Sequence, residues 1–112
     1  MLTIEHPLTG EKLQVANKDF SVQMNWPEAK NACESLGNGW RLPTLEELEE
    51  MHRQLRNNGL GAFKTEYYWS GTYNDPNSPF YVGFEEGDVY GYGENYYTKE
   101  EEMWVRAVRA LL

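Results

Sequence analysis

Along this chain apolar and polar residues first alternate, then recur at helical spacing, then alternate again. Leu2-Thr3-Ile4-Glu5 switches sides at each residue, as a short half-buried strand does. His6-Pro7-Leu8-Thr9-Gly10 carries the punctuation of a turn, and Leu13 and Val15 share a face of a second strand. Asn17-Lys18-Asp19 reads as a polar loop. Phe20, Val22 and Met24 alternate with Ser21 and Gln23, which predicts a brief extended segment. From Asn25 the period lengthens. Asn25 and Glu28 form a capping box, and Pro27 fits a first turn, where its missing N–H has no helical partner. Trp26, Ala29, Ala32, Cys33 and Leu36 fall on one stripe, so a helix is predicted over 26–36, ended by Gly37.

Asn38-Gly39-Trp40-Arg41-Leu42-Pro43-Thr44 separates this helix from the next. Gly37 and Gly39 can enter the left-handed region at little cost. Pro43 keeps Leu42 out of the helical region. Thr44 and Glu47 make a second capping box, and Leu45, Leu48, Met51, His52 and Leu55 make a second stripe. Glutamates crowd the first turns while Arg53 and Arg56 lie near the end, as the helix dipole favours. Asn57-Asn58-Gly59 stops the helix.

After a connection over 60–66, Tyr67 to Tyr73 has strand chemistry, and Asn74 to Pro79 is a concentrated turn. Phe80, Val82 and Phe84 alternate with Tyr81 and Gly83; Glu85-Glu86-Gly87-Asp88 turns the chain back through Val89 to Tyr92. Residues 93–102 read as a long acidic surface loop. Met103 to Leu111 is apolar on both faces apart from Arg106 and Arg109, which suits a central strand with those arginines in ion pairs or at the rim. Strands, two helices, then strands define an α+β plan.

Composition narrows the classes. At 112 residues the chain fits one domain, and 40% apolar with 14% aromatic residues is not a disordered composition. A net charge of −8 argues against nucleic acid and against anionic membrane surfaces. No apolar run approaches the roughly 20 residues that span a bilayer. Cys33 is alone, so no intrachain disulfide forms, and residues 1–25 lack the pattern of a signal peptide. A cytoplasmic location is favoured on these grounds.

All eight tyrosines lie between residues 67 and 97. Tyrosine gains contact area at low entropic cost, so Tyr73, Asn74, Tyr81, Tyr90, Tyr92, Tyr96 and Tyr97 are candidate ligand contacts. Ordinary strand and loop packing is the competing reading. Asp75-Pro76-Asn77 and the run Glu100-Glu101-Glu102 read as a turn and a solvated loop rather than as calcium ligands. Cys33 reads as an inert core thiol, and His6 and His52 as structural, with no second His or Cys at metal spacing. Ser70 lacks a nucleophile-elbow setting, and no phosphate-cradling loop is present. No catalytic residue, metal or cofactor is expected. Trp40 is expected to anchor the corner between the helices, and Arg41 to hydrogen-bond loop carbonyls.

Asn25-Trp26-Pro27-Glu28-Ala29…Cys33, Gly39-Trp40-Arg41-Leu42-Pro43-Thr44…Glu47-Leu48, Tyr68-Trp69-Ser70 and Val105-Arg106-Ala107-Val108-Arg109 occur in one order. Together with Thr9-Gly10, this resembles the Lcl C-terminal domain family, named for a bacterial collagen-like adhesin and otherwise classed as a domain of unknown function. The resemblance covers nearly the whole chain and makes Trp26, Trp40, Arg41, Pro43, Thr44, Glu47, Trp69, Arg106 and Arg109 its structural motif. It implies a C-type-lectin-like fold: two helices, a sheet in which the terminal strands are adjacent, and a long aromatic loop region. Many members are exported and carry a second cysteine where this chain has Ala107, so a surface or secreted setting is the alternative location. With the tyrosine-rich hairpin and loop, about 73–99, as the recognition surface, a non-catalytic binding module for a glycan, a peptide or a protein surface is expected. The alternatives are an assembly component of a bacterial surface or phage structure and, more remotely, a relative of formylglycine-generating oxidases. Those oxidases use paired cysteines, whereas this chain has one.

Overall fold

A computed structural model describes residues 1–75, 78–90 and 100–111, with residues 74 and 75 described by their backbone alone. The elements are β1 (Leu2–Glu5), β2 (Lys12–Val15), α1 (Trp26–Ser35), α2 (Leu45–Gln54), a 3-10 turn (Arg56–Asn58), β3 (Tyr67–Asp75), β4 (Ser78–Gly83), β5 (Asp88–Tyr90) and β6 (Val108–Ala110). They form two antiparallel three-stranded sheets, ordered β1-β2-β6 and β3-β4-β5. The fold class is α+β, as the pattern predicts. The first sheet unites both ends of the chain, but its terminal strands are not adjacent, because β2 lies between them. The reason is local. A tight turn held by Gly10 N–H to His6 O at 2.9 Å pairs β1 with one edge of β2 and leaves only the other edge for β6. His6 is part of that turn, its Nδ1 accepting the N–H of Leu8 at 3.1 Å.

Both helices start on the predicted capping boxes, Asn25 with Glu28 and Thr44 with Glu47. Each such cap contributes on the order of 1 kcal/mol. Leu36 is the C-cap of α1 and is exposed, so the buried stripe ends at Cys33. Between the helices, Gly37, Asn38 and Gly39 all take positive φ, 72°, 54° and 84°. A shift of register within β3 turns Thr72 toward α2, where its Oγ1 accepts the otherwise unpaired N–H of Leu45 at 2.9 Å. Gly71 N–H donates to Pro43 O at 2.7 Å beside it. A Cβ on Gly71 would lie 3.3 Å from Leu42 Cβ, so this close approach needs glycine.

Two expectations are corrected. Residues 20–24 form no strand: Val22 is 61% exposed and only Met24 bridges, to Met103. The final segment is buried on both faces, yet only Val108–Ala110 is a regular strand and it stands at a sheet edge. Upstream, Val105 O and Ala107 O accept N–H groups of Phe20 and Ala16, while Trp104 exchanges backbone hydrogen bonds with Tyr67 and Trp69. The segment is thus a seam between the sheets, with partners too irregular for a ladder. The edge of β6 is covered by Arg41, whose N–H donates to Val108 O at 2.8 Å.

The second sheet is packed on both faces. Tyr68 and Val82 join one cluster with Leu48, Met51 and Leu55 of the α2 segment; Trp69 and Tyr81 join another with Ala29 and Cys33 of α1. At the seam Asp19, read from sequence as loop, has a side chain only 5% exposed. Its carboxylate accepts from Arg106 Nε, Lys64 Nζ and the Tyr68 hydroxyl, each at 2.8 Å. Arg106 is 1% exposed and donates further to Ala16 O and Gly61 O. Removing one member of a buried ion pair strands the other. Arg106→Leu is therefore expected to lower the unfolding free energy by about 3 kcal/mol or more, read from urea melts. Adding Asp19→Asn is expected to cost less than its effect alone, with a coupling of about 1 kcal/mol or more.

Candidate functional site

The site grows from the register of the second sheet. Tyr81 stands opposite both Trp69 and Tyr90, and Gly83 opposite Tyr67 and Asp88. Tyr81 is 1% exposed, which removes it from the candidate ligand contacts. It faces inward beside Trp69 in the α1 cluster, and its ring stacks on that of Tyr90 with centroids 5.2 Å apart. Tyr67 sets its ring edge-on to both, at 5.4 Å from each. Gly83 makes this possible, because a Cβ there would come within 3.3 Å of the rings of Tyr67 and Tyr90.

The two outer tyrosines open on a cleft of about 260 Å³. Glu66, Glu85, Glu86, Asp88 and Glu102 also line it, and among the described residues no Lys or Arg does. Burial, then the neighbouring Tyr67 and Asp88, pushes the Tyr90 phenol up, so it stays a neutral donor near neutral pH. Aromatic faces with carboxylate acceptors can hold an ammonium, a guanidinium or hydroxyl groups, and they repel anions.

The remaining candidates fall elsewhere. Tyr73 lies farther along β3, 51% exposed and edge-on to Trp26 at 5.6 Å. The side chain of Asn74 and the whole of Tyr92, Tyr96 and Tyr97 lie outside the described residues. Those three tyrosines follow Tyr90 and precede Glu102, both of which line the cleft. Tyr67 and Gly83 were not singled out by sequence. The available signal was cross-strand: a glycine among large residues in one strand facing a tyrosine in the next.

The turn that carries the acidic rim rests on His52. Gly87 has φ +83°, and a Cβ there would meet His52 Nδ1 at 2.7 Å. The imidazole is 7% exposed and edge-on to Phe84 at 5.3 Å. Burial, then Arg56, lowers its pKa, partly offset by Phe84, Glu86 and Asp88. Cys33 is fully buried, and its thiol is pushed up to about 12, chiefly by burial, so it stays protonated. Among the described residues no three of His, Cys, Asp or Glu gather as a metal site, and no helix is long and apolar enough to cross a membrane.

The motif residues build the frame. Trp26 Nε1 donates to Ser70 O and Trp69 Nε1 to Met24 O, at 2.8 and 2.9 Å. Arg41 holds Glu47 with two nitrogens, at 2.7 and 3.0 Å, and reaches one carbonyl, that of Leu42. Binding several carbonyls falls to Arg106 instead. Glu47 Oε1 also accepts the Thr44 N–H, so one carboxylate joins the corner to the cap. Arg109 forms no ion pair among the described residues; it bonds Gln14 Oε1 at 2.8 Å and lies over the Trp40 ring at 4.6 Å. Trp40 thus ties the corner to β6.

These features define a small α+β domain that presents a tyrosine-bearing, acid-rimmed cleft at one end of a sheet packed on both faces. Residues 6–109 match the family model of the Lcl C-terminal domain, and the chain belongs to that family. No curated protein matches it.

Two measurements probe the support of the acidic turn. Gly87→Ala is expected to cost about 1–3 kcal/mol of stability, because a left-handed residue gains a Cβ against a buried ring. His52 has a folded pKa below its ordinary value of 6.5, so the unfolded chain takes up the proton first as pH falls. Its contribution is complete above that value and is lost as pH drops from there to the folded pKa. Urea melts from about pH 7.5 to 5.5 are expected to show a steeper loss than the same series for His52→Phe.

Proposed function

We propose that this chain is a small non-catalytic binding module of C-type-lectin-like fold. Its ligand, a glycan, a peptide or a protein surface, is recognised by the tyrosine-rich hairpin of β4 and β5 and the residues that follow it. The observation that carries this reading is the pair Tyr67 and Tyr90, set over Gly83 at the mouth of the acid-rimmed cleft. Three more tyrosines stand in the segment that leaves from that point. Two helices and a sheet uniting both chain ends support the lectin-like arrangement. A protonated, buried Cys33 supports the absence of thiol catalysis. The lining charge favours neutral or cationic ligands over anionic ones.

Backbone NMR of the chain titrated with a panel of neutral sugars and of basic, neutral and acidic peptides is the direct test. Perturbations are expected around Tyr67, Gly83 and Tyr90. Substituting Tyr92, Tyr96 and Tyr97 together by Ser is expected to weaken binding at least about tenfold, or ~1.4 kcal/mol. The unfolding free energy is expected to stay within ~0.5 kcal/mol. Retained binding with a large stability loss would make these residues core and end the proposal.

A further inference from the structure

A second concavity, sharing no lining residue with the tyrosine cleft, runs between the β1–β2 hairpin and the N-terminal half of α2. Its volume is about 470 Å³, room for one large side chain with its flanks. Leu13, half-buried over the core residue Ile4, supplies apolar surface, and Leu8, 90% exposed on the hairpin turn, extends it. Six glutamates line it: Glu5 and Glu11 from the hairpin, and Glu46, Glu47, Glu49 and Glu50 from α2.

Two of the six are engaged. Glu47 holds Arg41 and caps α2, while Glu50 accepts from Arg53 and Gln54. The carboxylates of Glu5, Glu11, Glu46 and Glu49 make no hydrogen bond or ion pair among the described residues. The basic groups at the rim do not balance them. Arg41 already pairs with Glu47, and His6 acts on Glu50, already engaged by Arg53, which leaves Lys12. Burial first, then the like charges of Glu46 and Glu50, raises the pKa of Glu49.

We infer that the groove between the β1–β2 hairpin and α2 docks a basic peptide segment of a partner protein, one apolar side chain on Leu13 and Leu8 and flanking Lys or Arg on Glu5, Glu11, Glu46 and Glu49. Charge complementarity selects this occupant. A second copy of the chain brings a net charge of −8, and nucleic acid or an anionic lipid surface brings more of the same sign. An apolar anchor flanked by cations satisfies both the floor and the walls. The site goes beyond the tyrosine cleft and does not depend on it.

Three five-residue synthetic peptides test this by NMR titration of the labelled chain: Lys-Lys-Leu-Lys-Lys, Lys-Lys-Ser-Lys-Lys and Glu-Glu-Leu-Glu-Glu. The first is expected to perturb the amides of Leu8, Leu13, Glu46 and Glu49. The second is expected to bind several-fold more weakly and the third not at all. Glu46→Gln with Glu49→Gln, with the melting curve checked to confirm folding, is expected to weaken the first peptide at least fivefold. In the chain with Tyr92, Tyr96 and Tyr97 changed to Ser, the first peptide's shifts at Leu8, Leu13, Glu46 and Glu49 are expected to be unchanged. No binding of the first peptide, shifts confined to other residues, unaltered affinity in the glutamine variant, or loss in the serine variant would each overturn the proposal.

Discussion

The carboxylate of Asp19 is the point on which the architecture turns. It is buried, and three donors from three different parts of the chain converge on it: Arg106, Lys64 and the Tyr68 hydroxyl. A buried charge is tolerated only when its lone pairs are filled, so the network specifies where each of those segments lies. The residues after β2, the connection before β3, β3 itself and the final seam are held in one arrangement. The cations are further fixed by rings, with Arg106 over Phe63 at 4.1 Å and Lys64 over Trp104 at 4.0 Å. Burial, with the bond to Asp19, pushes the Tyr68 phenol up, which keeps its proton in place as a donor.

From that seam the second sheet takes its unusual position, with a core cluster on each face. A sheet packed on both faces has no broad side to offer a ligand. It can present side chains only where packing ends, and here it ends at Gly83 and the turn that follows. Missing side-chain bulk at Gly83 lets Tyr67 and Tyr90 lean together. The turn is propped from below by a neutral imidazole, so the acidic rim is positioned by α2 rather than by the strands alone. The frame and the display are thus separate devices, which allows the tyrosine face to change without dismantling the core.

Legibility in the sequence followed the range of the interactions. Both helices could be read because their capping boxes and stripes are formed by residues three and four apart. The β1–β2 hairpin could be read for the same reason. The strand order could not, since β2 meets β6 across more than ninety residues, as the Gln14 contact with Arg109 shows. Asp19 looked like solvated loop because its partners are 45 and 87 residues away. Arg41 departs from its expected role, because a glutamate six residues on captures it, whereas Arg106 keeps an expected ion pair, with Asp19, and adds two carbonyls. The burial of Tyr81 and the place of Tyr67 at the cleft are hidden from the sequence for a simple reason. Alternation says that neighbours face opposite ways, but a sheet covered on both faces gives neither side to solvent. Only cross-strand register, with Gly83 as the gap, distinguishes them.

The acidic balance acquires structural meaning once the cations are placed. Arg106 and Lys64 are bound to Asp19, Arg41 to Glu47, Arg53 to Glu50 and Lys30 to Glu34, while Arg109 lies on Trp40. Four of these, Arg106, Lys64, Arg41 and Arg109, tie separate parts of the fold together, while the pairs within α1 and α2 lie at the surface. The surplus of carboxylates is left to line concavities: five line the tyrosine cleft, and Glu5, Glu11, Glu46 and Glu49 line the groove beside α2. Like charges gathered without counter-ions cost stability, and salt screens them only beyond about 8–10 Å. Fields of one sign focused in a recess raise the local concentration of cations and speed their encounter. A composition that looks from the sequence like generic acidity is, in the folded chain, a division of labour between charges paired inside the frame, Asp19 with Arg106 and Lys64, and carboxylates that face whatever approaches.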